Sequence, residues 1–373
     1  MSLRVGIIGC GNISAAYLRL APEFAHFEIT ACADLNSEAA RARAAEFGIA
    51  AMEVDALLAS PEIDLILNLT VPAAHFAVAE RVLKAGKHLY SEKPYVLSLE
   101  EGRALAGFAE ERGLRIGSAP DTFLGGAHQM ARRLIDEGAV GRINSGTAFV
   151  QSPGMEMWHP NPDFFFKPGG GPILDLGPYY IANLVQLLGP VAQVVAVSSS
   201  ASPTRTITSE PRAGDVIEVE TPTTIHAILV FESGAQIIFA ASWDVQQHGH
   251  APMELYGATG TLHVPDPNFF GGELRLTQGE SFVNPALDWH HPFSRANDGR
   301  HANYRGAGLA EMAQALAEGR HARCDGRFAL HVVEVMTSIL RAGETGALQS
   351  IETRCERPAP LSPAEAETLL KER

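Results

Sequence analysis

Three side chains able to position an oxygen or move a proton stand in short, distinctive contexts. Lys93 lies in Glu92-Lys93-Pro94, directly after the run Lys87-His88-Leu89-Tyr90-Ser91. Asp175 and Tyr179 lie four residues apart in Gly169-Gly170-Gly171-Pro172-Ile173-Leu174-Asp175-Leu176-Gly177-Pro178-Tyr179. An ammonium polarises an oxygen, a carboxylate orients a hydroxyl, and a phenol gives or takes a proton. Gly177 followed by Pro178 reads as a helix start, with proline at its first position. Tyr179 then sits at the positive end of the helix dipole, which favours the phenolate. Tyr180 reads as a packing residue. Pro94 biases Lys93 away from helical torsions and keeps the chain extended there. Taken singly, Lys93 is a lysine before a turn and Tyr179 a core tyrosine; their joint presence is the signal.

The elements that must position them begin with Val5-Gly6-Ile7-Ile8 and the turn Gly9-Cys10-Gly11-Asn12-Ile13-Ser14. A short all-apolar run followed by such a turn reads as a strand buried on both faces and leading into a helix. Gly9 allows the tight bend, and Gly11 lets the backbone approach a pyrophosphate at the helix N-terminus, beside Asn12 and Ile13. Ser14 stands where glycine or alanine is usual, and is small enough for close packing. Asp34 ends the next strand, twenty residues after Ser14. A carboxylate there accepts from ribose hydroxyls and repels a 2′-phosphate, which points to NAD rather than NADP. Asn36 and Ser37 are the residues that could accommodate such a phosphate. Oxidising a carbinol with a nicotinamide needs hydride transfer and removal of the hydroxyl proton, and the second need matches Lys93 and Tyr179.

Strand and helix alternate through the first part of the chain. Strands are predicted at 28–33, 65–69, 87–91 and 114–118. Helices are predicted from Asn12 to Leu20, from an N-cap near Ser37 to just before Gly48, over 73–85, and from a capping box of Ser98 and Glu101 to Gly113. That alternation implies a parallel sheet covered on both faces. Beyond Pro120 the pattern changes to a helix near 127–137 and long strands at 142–151, 191–199, 223–232 and 235–244. The last two flank a hairpin signal at Ser233-Gly234. Helices return at 304–318 and 328–341. The expected organisation is α/β, with a dinucleotide-binding domain over 1–121 and a substrate-binding domain over 122–373 built on an open, mostly antiparallel sheet.

Bulk properties restrict the partners. The 373 residues carry a formal charge of −14, which argues against a nucleic-acid surface. No apolar run reaches the roughly 18 residues of a membrane span, and the N-terminus shows no signal-peptide pattern. The four cysteines Cys10, Cys32, Cys324 and Cys355 have no metal or redox spacing and read as thiols of a reducing cytoplasm. His248-Gly249-His250 and His290-His291 lack further ligands at recognisable spacing, so no metal is expected.

On the Glu-Lys-Pro and Asp-x-Gly-x-Tyr segments, over nearly its whole length, the chain resembles the Gfo/Idh/MocA oxidoreductase family. The resemblance implies an N-terminal Rossmann domain that binds NAD or NADP. It also implies a C-terminal α/β domain whose open sheet covers the nicotinamide and mediates homodimers or homotetramers. Substrates of the family are mostly sugars, polyols and related cyclic alcohols. The family lysine falls on Lys93 and the substrate-orienting aspartate on Asp175. The catalytic position, a histidine in inositol-dehydrogenase-like members, falls on Tyr179, as in the glucose–fructose oxidoreductase and dihydrodiol dehydrogenase branches. Thr70, Pro72 and His75 then line the cofactor after the fourth strand, and Glu92 faces the nicotinamide ribose. Asp121 occupies a place where many members carry asparagine.

Trp158, His159 and Lys167 are candidate substrate contacts: an indole face suits the C–H face of a pyranose, and an ammonium suits a hydroxyl or carboxylate. His301, Asn303 and Tyr304, read as opening a helix, are further candidates. The leading expectation is an NAD-dependent oxidoreductase acting on a secondary alcohol or ketone of a sugar or polyol. The alternatives are an NAD-dependent glycosidase that oxidises the sugar transiently, and a non-enzymatic sensor of cofactor or sugar.

Overall fold

The computed structural model describes residues 2–279, 281–283 and 289–372. The chain divides into two compact units. The first comprises Met1–Gly126, His291–Val333 and Pro358–Arg373, and the second Ala127–His290 and Glu334–Arg357. Residues 291–333 and 358–373, placed in the second domain by a sequence boundary at 121/122, thus group with the first unit.

The first unit is built on β1 (Leu3–Ile8), β2 (Phe27–Ala33), β3 (Ala50–Ala51), β4 (Leu65–Asn68), β5 (His88–Ser91) and β6 (Ile116–Ser118). They form a parallel sheet in the order β3-β2-β1-β4-β5-β6. Helices α1 (Asn12–Leu20), α2 (Ser37–Phe47), α3 (Val54–Ala59), α4 (His75–Lys84) and α5 (Leu99–Glu111) connect these strands. Every residue of β4 is buried, as a strand covered on both faces requires. Two local expectations shift. The cap of α2 is Asn36, not Ser37: its side chain accepts from the Glu38 and Ala39 amides. Ser98 caps α5 through the Glu101 amide, but the Glu101 carboxylate takes the Leu97 amide, so the box is only half closed.

The second unit begins with α6 (Gly126–Asp136), apart from its first residue, and β7 (Ile143–Gln151). A pair of short helices follows, α7 (Gly171–Asp175) and α8 (Gly177–Leu188), then β8 (Val191–Ser199). The small hairpin β9 (Thr204–Thr206) and β10 (Val216–Glu218) precedes β11 (Thr224–Phe231) and β12 (Gln236–Ser242). Next come β13 (Met253–Gly257), β14 (Thr261–Val264), β15 (Arg275–Gln278) and β16 (Ser281–Val283). Helices α9 (Ala307–Glu318) and α10 (Gly326–Thr345), strand β17 (Gln349–Ser350) and helix α11 (Pro363–Thr368) complete the chain. Among the described residues, β16-β15-β14-β13-β7-β12-β11-β8-β17 form one sheet in that order, antiparallel except for β7 beside β12. The predicted hairpin joins β11 to β12, with Gly234 at φ +88° and its amide bonded to Phe231. Buried and exposed residues alternate along β11, the mark of a sheet with one covered face. All residues of α8 are buried, so its apolar character runs right round the helix.

Two buried imidazoles give the fold an acid-side sensitivity. His128 Nε2 donates to the Phe269 carbonyl at 2.8 Å, and Nδ1 accepts from Asn183 at 3.2 Å, a pattern only the neutral ring satisfies. Burial lowers its pKa from 6.5 to about 4, and that of His291 in the first unit likewise. Between those values the unfolded chain binds more protons, so stability falls as pH drops through that window. Each ring contributes a slope approaching about 1.4 kcal/mol per pH unit. Urea unfolding of His128→Gln between pH 4.5 and 7 should show a shallower slope than the parent; equal slopes would mean that His128 is already protonated in the fold.

Candidate active site

The strand order places the sheet's topological switch between β1 and β4, and ligands of open α/β sheets bind outside the carboxyl ends at that point. The turn Gly9–Ser14 follows β1, Thr70 follows β4, and Lys93 follows β5, so three candidate segments stand side by side along one edge. From β1 to β5 is two strand spacings, about 10 Å.

Gly9 has φ +105°, and a Cβ there would lie 2.6 Å from the Leu69 backbone. No other residue fits the bend. Gly11, the N-cap of α1, has no side-chain cap and open space where a Cβ would be. Gly11 and Asn12 are exposed and Ile13 is half-buried. An uncapped helix N-terminus under a clear approach suits a pyrophosphate, so the turn fits the dinucleotide expected from sequence. Asp34 is half-buried: Oδ2 accepts the Cys10 amide at 2.7 Å and Oδ1 the Asn36 amide at 2.8 Å. The carboxylate is thereby oriented by the turn itself and keeps lone pairs for hydroxyl donors. Arg43 reaches the Gly11 carbonyl at 3.3 Å and pairs with Glu46 at 2.5 Å.

After β4, Asn68 Oδ1 accepts the Thr70 hydroxyl at 2.7 Å. Pro72 is half-buried at the start of a single 3-10 turn, Pro72–Ala74. His75, expected along the cofactor, is buried: its ring lies between the Pro94 carbonyl at 2.7 Å and the Thr70 carbonyl at 2.9 Å. It ties the loop after β4 to the turn that carries Lys93, whose bond to Pro94 is cis.

Glu92 is also engaged within the protein. Oε1 accepts from Tyr17 Oη at 3.0 Å and from Arg305 Nη1 at 2.8 Å, and Oε2 from the Lys93 amide at 2.9 Å. Burial pushes this carboxyl up, but the Arg305 and Lys93 cations and these donors outweigh it and hold the pKa below the usual range. Arg305 was missed in the sequence. Its neighbours His301, Asn303 and Tyr304, expected to open a helix, precede it: α9 starts only at Ala307. The Tyr304 hydroxyl bonds the Arg295 carbonyl, and Asn303 bonds Asn297 and Asp298. No spacing rule marks an arginine whose partner lies 213 residues away. Asp121 is buried, with Oδ2 accepting the Gly306 and Gly308 amides at 3.0 Å each. Its carboxylate therefore serves the start of α9.

In the second unit, Asp175 ends α7 and Tyr179 lies in the first turn of α8, with Leu176 as the residue between the helices. Tyr179 is 6% exposed and Asp175 half-buried. The glycines before them are needed: Gly171 has φ +88°, and a Cβ on Gly170 would lie 2.5 Å from the Phe164 and Phe165 carbonyls. The preceding loop rests on its own small core of Met155, Phe165, Phe166, Ile207, Ile217 and Trp243. Trp158 is 64% exposed, and His159 meets it edge-on at 5.4 Å. Lys167, expected to be available to a substrate, pairs with Glu220 at 2.5 Å. His250 stacks on Phe149 at 4.1 Å and His291 contacts the Leu361 carbonyl. Among the described residues no three His, Cys, Asp or Glu gather as a metal would require.

Residues 3–119 match the family described as an oxidoreductase family with an NAD-binding Rossmann fold, and residues 128–263 match the Gfo/Idh/MocA C-terminal domain. A dTDP-3,4-didehydro-2,6-dideoxy-alpha-D-glucose 3-reductase of Streptomyces violaceoruber is 32% identical over 65% of this chain and 69% of its own length. The chain belongs to the Gfo/Idh/MocA oxidoreductase family. A D-apiose dehydrogenase of Paraburkholderia graminis is 26% identical over 95% of this chain and 92% of its own. The solved structure of a levoglucosan dehydrogenase with NADH and L-sorbose shares the fold, with TM-score 0.79 and 21% identity over 94% of this chain and 99% of that one. Family membership makes the chain an NAD(P)-dependent oxidoreductase of CH–OH groups with an NAD-binding Rossmann domain.

Proposed function

We propose that this family member transfers a hydride between NAD and a secondary alcohol or ketone of a sugar, polyol or related cyclic alcohol. The observation that carries the reading is the edge of the first sheet, where the glycine turn, Thr70 and Lys93 follow the neighbouring strands β1, β4 and β5. The names of the relatives, a dTDP-sugar reductase and an apiose dehydrogenase among them, support the substrate class.

NAD, when bound, supplies the hydride acceptor and NADH the donor. Gly9, Gly11, Asn12 and Ile13 receive the pyrophosphate, and Asp34 the adenosine ribose. Asn36 is engaged as the cap of α2 and Asp34 is held by two amides, which supports NAD over NADP. Lys93 steadies the reacting oxygen with its charge, and Asp175 orients a substrate hydroxyl. Tyr179 donates the phenolic proton to the carbonyl oxygen on reduction, and its phenolate takes the hydroxyl proton on oxidation. Trp158 and His159 line the substrate side. Homo-oligomerisation belongs to the same reading: Val197, Ile228 and Ile238 stand exposed on the neighbouring strands β8, β11 and β12. So does a cytoplasmic setting, supported by free thiols at all four cysteines.

The test is coenzyme reduction across a panel of pyranoses, polyols, inositols and glycosides, run with NAD and with NADP. NADH formation from a sugar or polyol, weaker with NADP, is the expected result. Cleavage of a glycoside that requires NAD without net NADH would replace this reading with the glycosidase. Tight NAD binding with no turnover of any panel member would count against the substrate class.

A further inference from the structure

Glu92 accepts from Arg305 as well as from the amide of its sequence neighbour Lys93. Its side chain is 8% exposed and that of Arg305 21%, and their atoms are 2.8 Å apart. Arg305 is itself held from several sides. Its guanidinium lies 5.9 Å from the Tyr17 ring centroid, and Tyr17 donates its hydroxyl to the same Glu92 oxygen. The next residue, Gly306, has φ +104° and gives its amide to Asp121, which also takes the Gly308 amide. Asp121 therefore sets the chain from which Arg305 reaches Glu92, and the other Glu92 oxygen holds the Lys93 backbone. The whole series lies in the first unit.

We infer that Arg305 is a positioning residue for Lys93: as the counter-ion of Glu92, it fixes the carboxylate whose other oxygen holds the Lys93 backbone. The inference rests on the proposed role of Lys93. A buried carboxylate that loses its partner is strongly destabilised, and it is relieved by taking a proton or the nearest remaining cation. Here the same carboxylate holds the Lys93 amide, on the adjacent residue. Either relief loosens that bond, and with it the backbone from which Lys93 reaches a substrate oxygen. The family-sized glycine turn plays no part in this, so cofactor binding is expected to survive.

The experiment compares Arg305→Met, Arg305→Lys, Glu92→Gln and the Arg305→Met/Glu92→Gln double variant, reading kcat, KM, thermal stability and the NAD dissociation constant from fluorescence titration. Arg305→Met should lose about 100-fold in kcat, the scale of a displaced catalytic group. KM and the NAD dissociation constant should stay within about 3-fold of the parent's. Lysine, which restores the charge, should recover at least about 10-fold of the loss. In the Glu92→Gln background the same Met substitution should change kcat by less than about 2-fold, because the residues act through one another. Loss that persists undiminished in that background overturns the inference, as does failure of lysine to rescue. NAD affinity falling in parallel with kcat overturns it too, by assigning Arg305 to the cofactor. Should Arg305→Met not fold, Arg305→Lys with and without Glu92→Gln carries the same comparison. Normal turnover in Lys93→Met would sink the reading of Lys93 itself; an inactive Lys93→Met beside a normal Arg305→Met would sink only this inference.

Discussion

Tyr179→Phe is expected to lower kcat by about 10³-fold, the scale of a lost general acid or base. The NAD dissociation constant should stay within about 2-fold of the parent's. The substitution removes one oxygen and leaves the ring. Tyr179 is 6% exposed and lies in the first turn of a helix whose residues are all buried, so the packing of the ring is retained and the loss isolates the hydroxyl. Pro178 before it and the Tyr179 amide, bonded to the Leu176 carbonyl at 3.2 Å, hold the backbone independently of the side chain. Steady-state kinetics on the substrate found by the panel, beside an NAD titration, make the measurement. A kcat within about 10-fold of the parent's would remove Tyr179 from the proton transfer. Tyr180, which packs 6.0 Å from Phe239, provides the control: its conversion to phenylalanine should leave kcat near that of the parent.

Lys93→Met should cost about 10² to 10³ in kcat, the scale of removing one charged stabiliser from a reacting oxygen. Methionine keeps a long unbranched stem, so the change is in charge more than in volume. The Lys93 amide, which binds Glu92 at 2.9 Å, survives the substitution, and the turn should therefore persist. The Arg305 partner also remains to meet the Glu92 charge. KM should rise less than kcat falls, because the lysine acts where charge develops rather than in uniform binding. Unchanged kcat with a raised KM would instead make Lys93 a binding residue.

Features that depend on a few consecutive residues were legible before the fold was seen. The strands at 65–68 and 88–91 lie in short runs between helix signals, and the strand–helix alternation around them implies a parallel sheet. The hairpin at Gly234 and the helix start at Gly177-Pro178 carry their own conformational signals. Strand β3 was not legible because it consists of two exposed alanines and exists only by pairing with Ala31 and Cys32. Helix α7 was missed because five residues after a glycine run carry no periodicity. The candidate side chains were found by type, yet several of their tasks were not. His75 bridges two loops, Asp121 holds α9, and Lys167 is paired with Glu220. In each case a polar group chosen for its chemistry is engaged by a backbone or charge distant in sequence.

Local signals were enough to single out the glycine turn, the carboxylate that follows it, the lysine after β5 and the aspartate and tyrosine around the α7–α8 junction. Those signals reside in steric and dipolar requirements spanning a turn or two, which local composition expresses directly. No local signal announces that residues 291–333 return to the first unit or that Arg305 meets Glu92 there. The reason is burial: a carboxylate removed from water must find its partners wherever the chain brings them, and that choice is made by packing over hundreds of residues rather than by spacing along the chain.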